Sequence, residues 1–120
     1  MNHHKIAGGG VQLHVVEAGN PKGRAVLFIH GISQCSLAWS RQLSSDLADD
    51  HRLVAMDMRG HGLSDKPREG YDNSRLWADD VNATRPLSPT RRFNLFPTHA
   101  PFWEETFDFQ QKTFVVTDVQ

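Results

Sequence analysis

Cysteine is nearly absent: Cys35 stands alone in 120 residues. No internal disulfide can form, and a reducing, cytoplasmic setting is the expectation. No apolar run approaches the ~18 residues that a membrane-spanning helix needs. The opening MNHHKIAGGG has no apolar stretch of the signal-peptide kind. Neither sign of charge dominates, since 13 basic and 14 acidic side chains leave a formal charge of -1. That balance gives no electrostatic footprint for nucleic acid or an anionic membrane. The most informative shortage is local. All nine glycines fall at or before Gly70, whereas six of seven phenylalanines lie at or after Phe93 and four of six prolines at or after Pro86. The chain therefore divides into residues 1–83 and a compositionally different tail, 84–120, with the seam inside WADDVNATRPLSPTRR.

The first part reads as alternating strands and helices. KIAGGGVQLHVVEAG gives two short strands around a glycine turn, with Val11, Leu13 and Val15 alternating with Gln12 and His14 as in a half-buried strand. No helix start follows Gly8, Gly9 and Gly10, so they are expected to turn a hairpin and not to cradle a phosphate. His3 and His4 read as a frayed end. AVLFIHG at 25–31 is a continuous apolar run, the mark of a strand covered on both faces. In SLAWSRQLSSDLADD, Leu37, Leu43, Leu47 and Ala48 recur at near-helical spacing. HRLVAMDM is another strand and RGHGLSDKPREGYD a loop. NSRLWADDVNA is a helix with Leu76, Trp77, Asp80 and Val81 on one side and Asn73 or Ser74 as N-cap. Strand, helix, strand, loop, helix opens a doubly wound α/β sheet.

Two segments carry chemistry. FIHGISQCSLAW ends an apolar strand in His30-Gly31, and MDMRGHGLSDKP ends one at Asp57-Met58 before Arg59-Gly60-His61-Gly62-Leu63-Ser64. With the hairpin before them and the helix after, residues of about 5–83 resemble the N-terminal portion of the α/β-hydrolase family, of AB hydrolase-1 type. The resemblance implies an incomplete α/β-hydrolase fold, hydrolysis of esters or related small-molecule bonds by a nucleophile, acid and histidine, and no cofactor. Gly31 and Ile32 become the oxyanion-hole pair, the Ile32 amide being one of two donors. His30, Asp57, Arg59, Gly60, His61, Gly62 and Ser64 become supporting loop residues, with His30 structural and not the catalytic base. Losing one oxyanion donor typically raises such a barrier by ~3 kcal/mol, so a preset amide is worth a built loop.

Other readings of these residues are weaker. Gly60-His61-Gly62 begins like a dinucleotide fingerprint, but Asp65 stands where the third glycine belongs. His30, Asp57 and His61 fit loop bracing better than metal ligation, and Cys35 fits packing better than nucleophilic attack.

The family's nucleophile sits in G-x-S-x-G on a strained strand-to-helix elbow, followed by an acid and then a histidine. With no glycine after Gly70, that elbow cannot occur in the tail. Ser88 in PLSPT, the acids Glu104, Asp108 and Asp118, and His99 in PTHAP show no triad spacing. The expectation is a family member cut short, its tail replaced after Ala83 and its activity lost, with a small-molecule substrate only for the complete parent. The alternative is a non-catalytic binding or regulatory protein. By the family's topology the missing elbow strand lies beside AVLFIHG, so that strand is expected to leave an open edge prone to self-association. ETFDFQQKTFVVTDV has strand character without a place assigned to it.

Overall fold

The computed structural model describes residues 1–84 and the backbone of residues 114–117. The order of elements is β1 (Asn2–Ala7), β2 (Gln12–Gly19), β3 (Arg24–Ile29), a 3-10 turn (Ser36–Trp39), α1 (Ser40–Leu43), α2 (Leu47–Asp50), β4 (His51–Met56), α3 (Ser74–Ala83) and β5 (Phe114–Thr117). The strands form one mixed sheet in the order β1-β2-β4-β3-β5. Only β3 and β4 run parallel, Val26 facing Leu53 and Ile29 facing Met56. The hairpin closes as its glycines require: the Gly8 N–H donates to the Val11 carbonyl, and Gly10 takes φ +81.

Alternation within the apolar runs builds two cores. Leu27 and Ile29 of β3, Val54 and Met56 of β4, and Leu13 and Val15 of β2 face one side, where Val81 of α3 meets them. Val26 and Phe28, Leu53 and Ala55, and Val16 face the other, against Trp39 and Leu43. Successive strand side chains point to opposite faces, so an unbroken apolar strand is one covered on both. Phe28 and Trp39 rings lie 4.9 Å apart between centroids, anchoring the segment after β3 to its face.

Four expectations need correction. The segment after β3 is not one helix: α1 ends at Leu43 and α2 starts at Leu47. The Ser45 hydroxyl donates to the Gln42 carbonyl at 2.7 Å, the local competition by which serine ends helices. The apolar spacing misled accordingly, since Leu37 is 75% exposed and Leu47 46%, while Trp39 and Leu43 are buried. His14, expected on a solvated face, is buried. His3 and His4 are not frayed: they lie in β1, where His3 bonds His14 at 2.9 Å and His4 bonds Glu17 at 2.8 Å. The edge of β3 is not open, because β5 pairs with it antiparallel from Ile29–Phe114 to Val26–Thr117. The candidates Ser88, His99, Glu104, Asp108 and Asp118 lie outside the described residues.

One ion pair ties α3 to the hairpin. Arg59 and Asp80 are both buried, with Nε 2.6 Å from Oδ2 and Nη2 2.9 Å from Oδ1. Asp80 Oδ1 also accepts from the Gly9 N–H, and Arg59 reaches the Gly9 and Gly70 carbonyls at 3.0 Å. Removing one partner of a buried pair strands the other's charge. Asp80→Ala is expected to lower unfolding free energy by about 3–5 kcal/mol, measured by urea denaturation.

Candidate functional site

The parallel pair β3–β4 places two loops side by side at its carboxyl end, the usual ligand-facing edge of an open α/β sheet. The first, His30 to Cys35, turns at once. The Gln34 N–H donates to the Gly31 carbonyl at 3.2 Å, closing a four-residue turn. Ser33, its third residue, has φ +65, the left-handed value a type II turn requires there and one that serine adopts only when held. Three contacts hold it. The Gly31 N–H donates to Gln34 Oε1 at 3.0 Å, the Ser33 N–H to His61 Nε2 at 3.2 Å, and the Ser36 N–H to Asp57 Oδ1 at 2.6 Å. The Ile32 N–H, between the two engaged amides, makes no hydrogen bond among the described residues. Its side chain is 74% exposed.

The second loop, Met58 to Lys66, depends on glycine at Gly62. Gly62 takes φ +51, and a Cβ there would collide with the Asp57 carboxylate. Asp57 is 1% exposed and accepts from the Ser36 N–H, the Leu63 N–H at 2.9 Å and His14 Nδ1 at 2.7 Å. Burial alone would push its carboxyl up. The donors from Leu63, Ser36 and His14 outweigh that and hold it below the ordinary carboxylate range. The Ser64 hydroxyl donates to the Asp57 carbonyl at 2.6 Å and accepts from the His14 N–H at 2.8 Å.

The two loop histidines have tautomers fixed by their partners. His30 Nε2 accepts from the Met58 N–H at 2.9 Å, so its proton is on Nδ1, facing the Gly31 carbonyl at 2.7 Å. Burial holds its pKa below the ordinary value, against the opposing pull of the Gly31 carbonyl. His61 likewise carries its proton on Nδ1, toward the Arg59 carbonyl at 2.9 Å, leaving Nε2 to accept from Ser33. Its ring lies 5.0 Å from His30 and 6.5 Å from Trp77 between centroids. With both nitrogens spent inside the protein, neither imidazole is placed to act as a base.

Every residue assigned to this region by sequence is therefore brought together. Gly31, Ile32 and His30 lie on one loop, with Arg59, Gly60, His61, Gly62 and Ser64 on the other and Asp57 just past the end of β4, between β4 and that loop. Gln34 and His14 were missed. Nothing in sequence marks Gln34 as an amide acceptor, and the polar alternation of β2 assigns His14 to solvent. Cys35 is half-buried, at the start of the 3-10 turn.

These paired loops, on a partly parallel sheet entered through a hairpin, define a hydrolase-type α/β fold, and comparison with known proteins agrees. The family model described as "alpha/beta hydrolase fold" matches residues 24–108, and the chain belongs to that family. An epoxide hydrolase of Caballeronia sordidicola is 41% identical over 69 residues, which is 58% of this chain and 20% of that protein. Epoxide hydrolase A of Mycobacterium tuberculosis is 38% identical over 84 residues, 63% of this chain and 26% of its own length. An esterase structure from Rhodococcus sp. ECU1013 superposes with a TM-score of 0.66 at 39% identity, covering 75% of this chain and 33% of that one. The chain thus spans a third or less of each relative named here.

Because His30 is held neutral, the folded state binds its proton later than the unfolded chain does, whose histidine titrates near ~6.5. Stability is therefore expected to fall as pH drops from 7 to 5. Asp57 and Glu17, both held below their ordinary values, extend the loss below about pH 4. Urea midpoints across pH 7.5 to 3 check this (a range set by those titrations), and a flat profile between 7 and 5 would contradict it.

Proposed function

We propose that residues 1–84 are the oxyanion side of a hydrolase acting on carboxylic esters, epoxides or related small-molecule bonds. We further propose that the 120-residue chain does not itself turn over alkyl esters or epoxides. One observation carries the first statement. Of three consecutive amides, those of Gly31 and Ser33 are tied to Gln34 and His61, and the Ile32 N–H between them is unspent. A donor fixed before substrate arrives needs no reorganisation when negative charge develops on a carbonyl or opening epoxide oxygen. The relatives' names, epoxide hydrolase and esterase, support that substrate class.

The second statement rests on what the remaining steps require. A nucleophile must sit where its own following amide supplies the other oxyanion donor, and the elbow that does this needs glycines. None occurs after Gly70. The abrupt change of composition after Ala83, inside the residues 24–108 that the family model matches, is what supports a tail replaced by a reading-frame change or retained intron. No helix among the described residues is long and apolar enough to cross a membrane, and the single cysteine favours a reducing compartment, such as the cytoplasm.

A second reading, a regulatory protein that binds a partner or another copy through the edge of β3, has to displace β5. That pairing covers four residues of β3. The purified chain is expected to leave alkyl esters and aliphatic epoxides at their buffer rates of hydrolysis, followed by chromatography of the acid or diol formed. Steady catalytic turnover of either would overturn the proposal.

A further inference from the structure

A hydrogen-bonded chain of three titratable side chains runs from the buried Asp57, through His14, to His3 at the protein surface, beyond the loops that Asp57 braces. Asp57 Oδ2 lies 2.7 Å from His14 Nδ1, and His14 Nε2 lies 2.9 Å from His3 Nδ1. His14 is buried and His3 exposed. The His3 and His14 ring centroids are 5.1 Å apart with planes 24° from parallel. A 2.9 Å nitrogen–nitrogen contact at that separation sets the rings edge to edge, as a hydrogen bond needs, and not face to face.

The carboxylate dictates the direction of every proton in this chain. Asp57 also accepts from the Ser36 and Leu63 amides and is an acceptor only. His14 must then carry its proton on Nδ1, which leaves its Nε2 lone pair to accept from His3 Nδ1–H. His3 Nε2 then keeps a lone pair that no hydrogen bond among the described residues engages, on an exposed residue. A buried acid that fixes one imidazole's tautomer thereby fixes which nitrogen of the next imidazole donates and which keeps its lone pair.

We propose that His3, backed by His14 and Asp57, is an acyl-accepting nucleophile that hydrolyses activated aryl esters. This goes beyond the oxyanion-loop reading and does not depend on it. His3 Nε2 bonds to the ester carbonyl carbon, and the carbon–oxygen bond breaks with the aryloxide leaving on its electron pair. The acyl-imidazolium passes its Nδ1 proton to His14 Nε2, and the resulting imidazolium is held by Asp57. Water then adds to the acyl carbon and loses a proton to solvent. His14 returns its proton to His3 Nδ1 as the carbon–nitrogen bond breaks, releasing the carboxylic acid and restoring the starting state. His3 and His14 thus act as nucleophile and proton acceptor, and Asp57 as a positioning residue. Alkyl esters and epoxides, with far poorer leaving groups, lie outside the reach of an imidazole.

The test follows 4-nitrophenolate release from 4-nitrophenyl acetate by the full chain and locates the acyl group. His3→Gln is expected to lower the protein-dependent rate by about tenfold or more. His14→Gln can still donate to Asp57 and accept from His3 but cannot take up the proton, so it is expected to lower the rate comparably with an unchanged melting temperature. His4→Gln, whose ring bonds Glu17 on the neighbouring register, is expected to have no effect. Independently of any variant, diethyl pyrocarbonate is expected to label His3 faster than His4 in the unmodified protein, resolved by fragmenting the peptide that ends at Lys5. A rate insensitive to His3→Gln would overturn the proposal. So would a rate lost in His3→Gln but kept in folded His14→Gln, or equal labelling of His3 and His4.

Discussion

The carboxylate of Asp57 is the junction on which the rest of the carboxyl-end architecture depends. It sits one residue past β4, buried, and takes one hydrogen bond from each of three segments that are distant in sequence: the turn after β3 through Ser36, the glycine loop through Leu63, and β2 through His14. An ionised carboxylate is too costly to bury without such donors, and two of the three are loop amides that would otherwise need a partner. The need runs both ways. Gly62 is the visible consequence, since the loop must pass so close to the carboxylate that a Cβ there would strike it.

From that junction the oxyanion side follows. The turn at Gly31–Gln34 is fixed at one end by β3, at the other by the Ser36–Asp57 bond, and at its strained residue by His61. The glycine loop that carries His61 is fixed by the same carboxylate through Leu63. Two loops that bind a common anion cannot drift independently, which is how the unspent Ile32 amide on the first of them keeps its direction. The buried Arg59–Asp80 pair does the equivalent work below, joining the start of the glycine loop to α3 and the hairpin.

Much of this was legible in sequence because apolar runs and glycines report directly on packing. AVLFI and LVAM announced strands covered on both faces, and their alternate residues do divide between two cores. The hairpin and an N-cap at Asn73 or Ser74 were legible on the same grounds, and Asn73 fills that cap, accepting from the Arg75 N–H at 3.0 Å; the pairing of the two loops was expected from the family resemblance. What sequence hid were interactions between polar groups remote along the chain. The burial of His14 depends on Asp57 lying opposite, and the order at His3 depends in turn on His14. Asp80 on the buried side of α3 was a signal of a hidden cation, but which arginine answered it was not readable. The break between α1 and α2 was missed for a different reason: Leu37 and Leu47 imitate helical spacing while facing solvent, and Ser45 decides the matter locally.

The central claim is that one carboxylate holds both loops, and amide hydrogen exchange in Asp57→Asn against the unmodified chain tests it most directly. Asparagine keeps the size but removes the charge and one acceptor oxygen. The prediction is that the Ser36 and Leu63 amides lose protection together, by about tenfold or more, while Val54 and Ala55 inside β4 keep theirs. Unchanged protection at Ser36 and Leu63 in a folded Asp57→Asn protein would contradict the account.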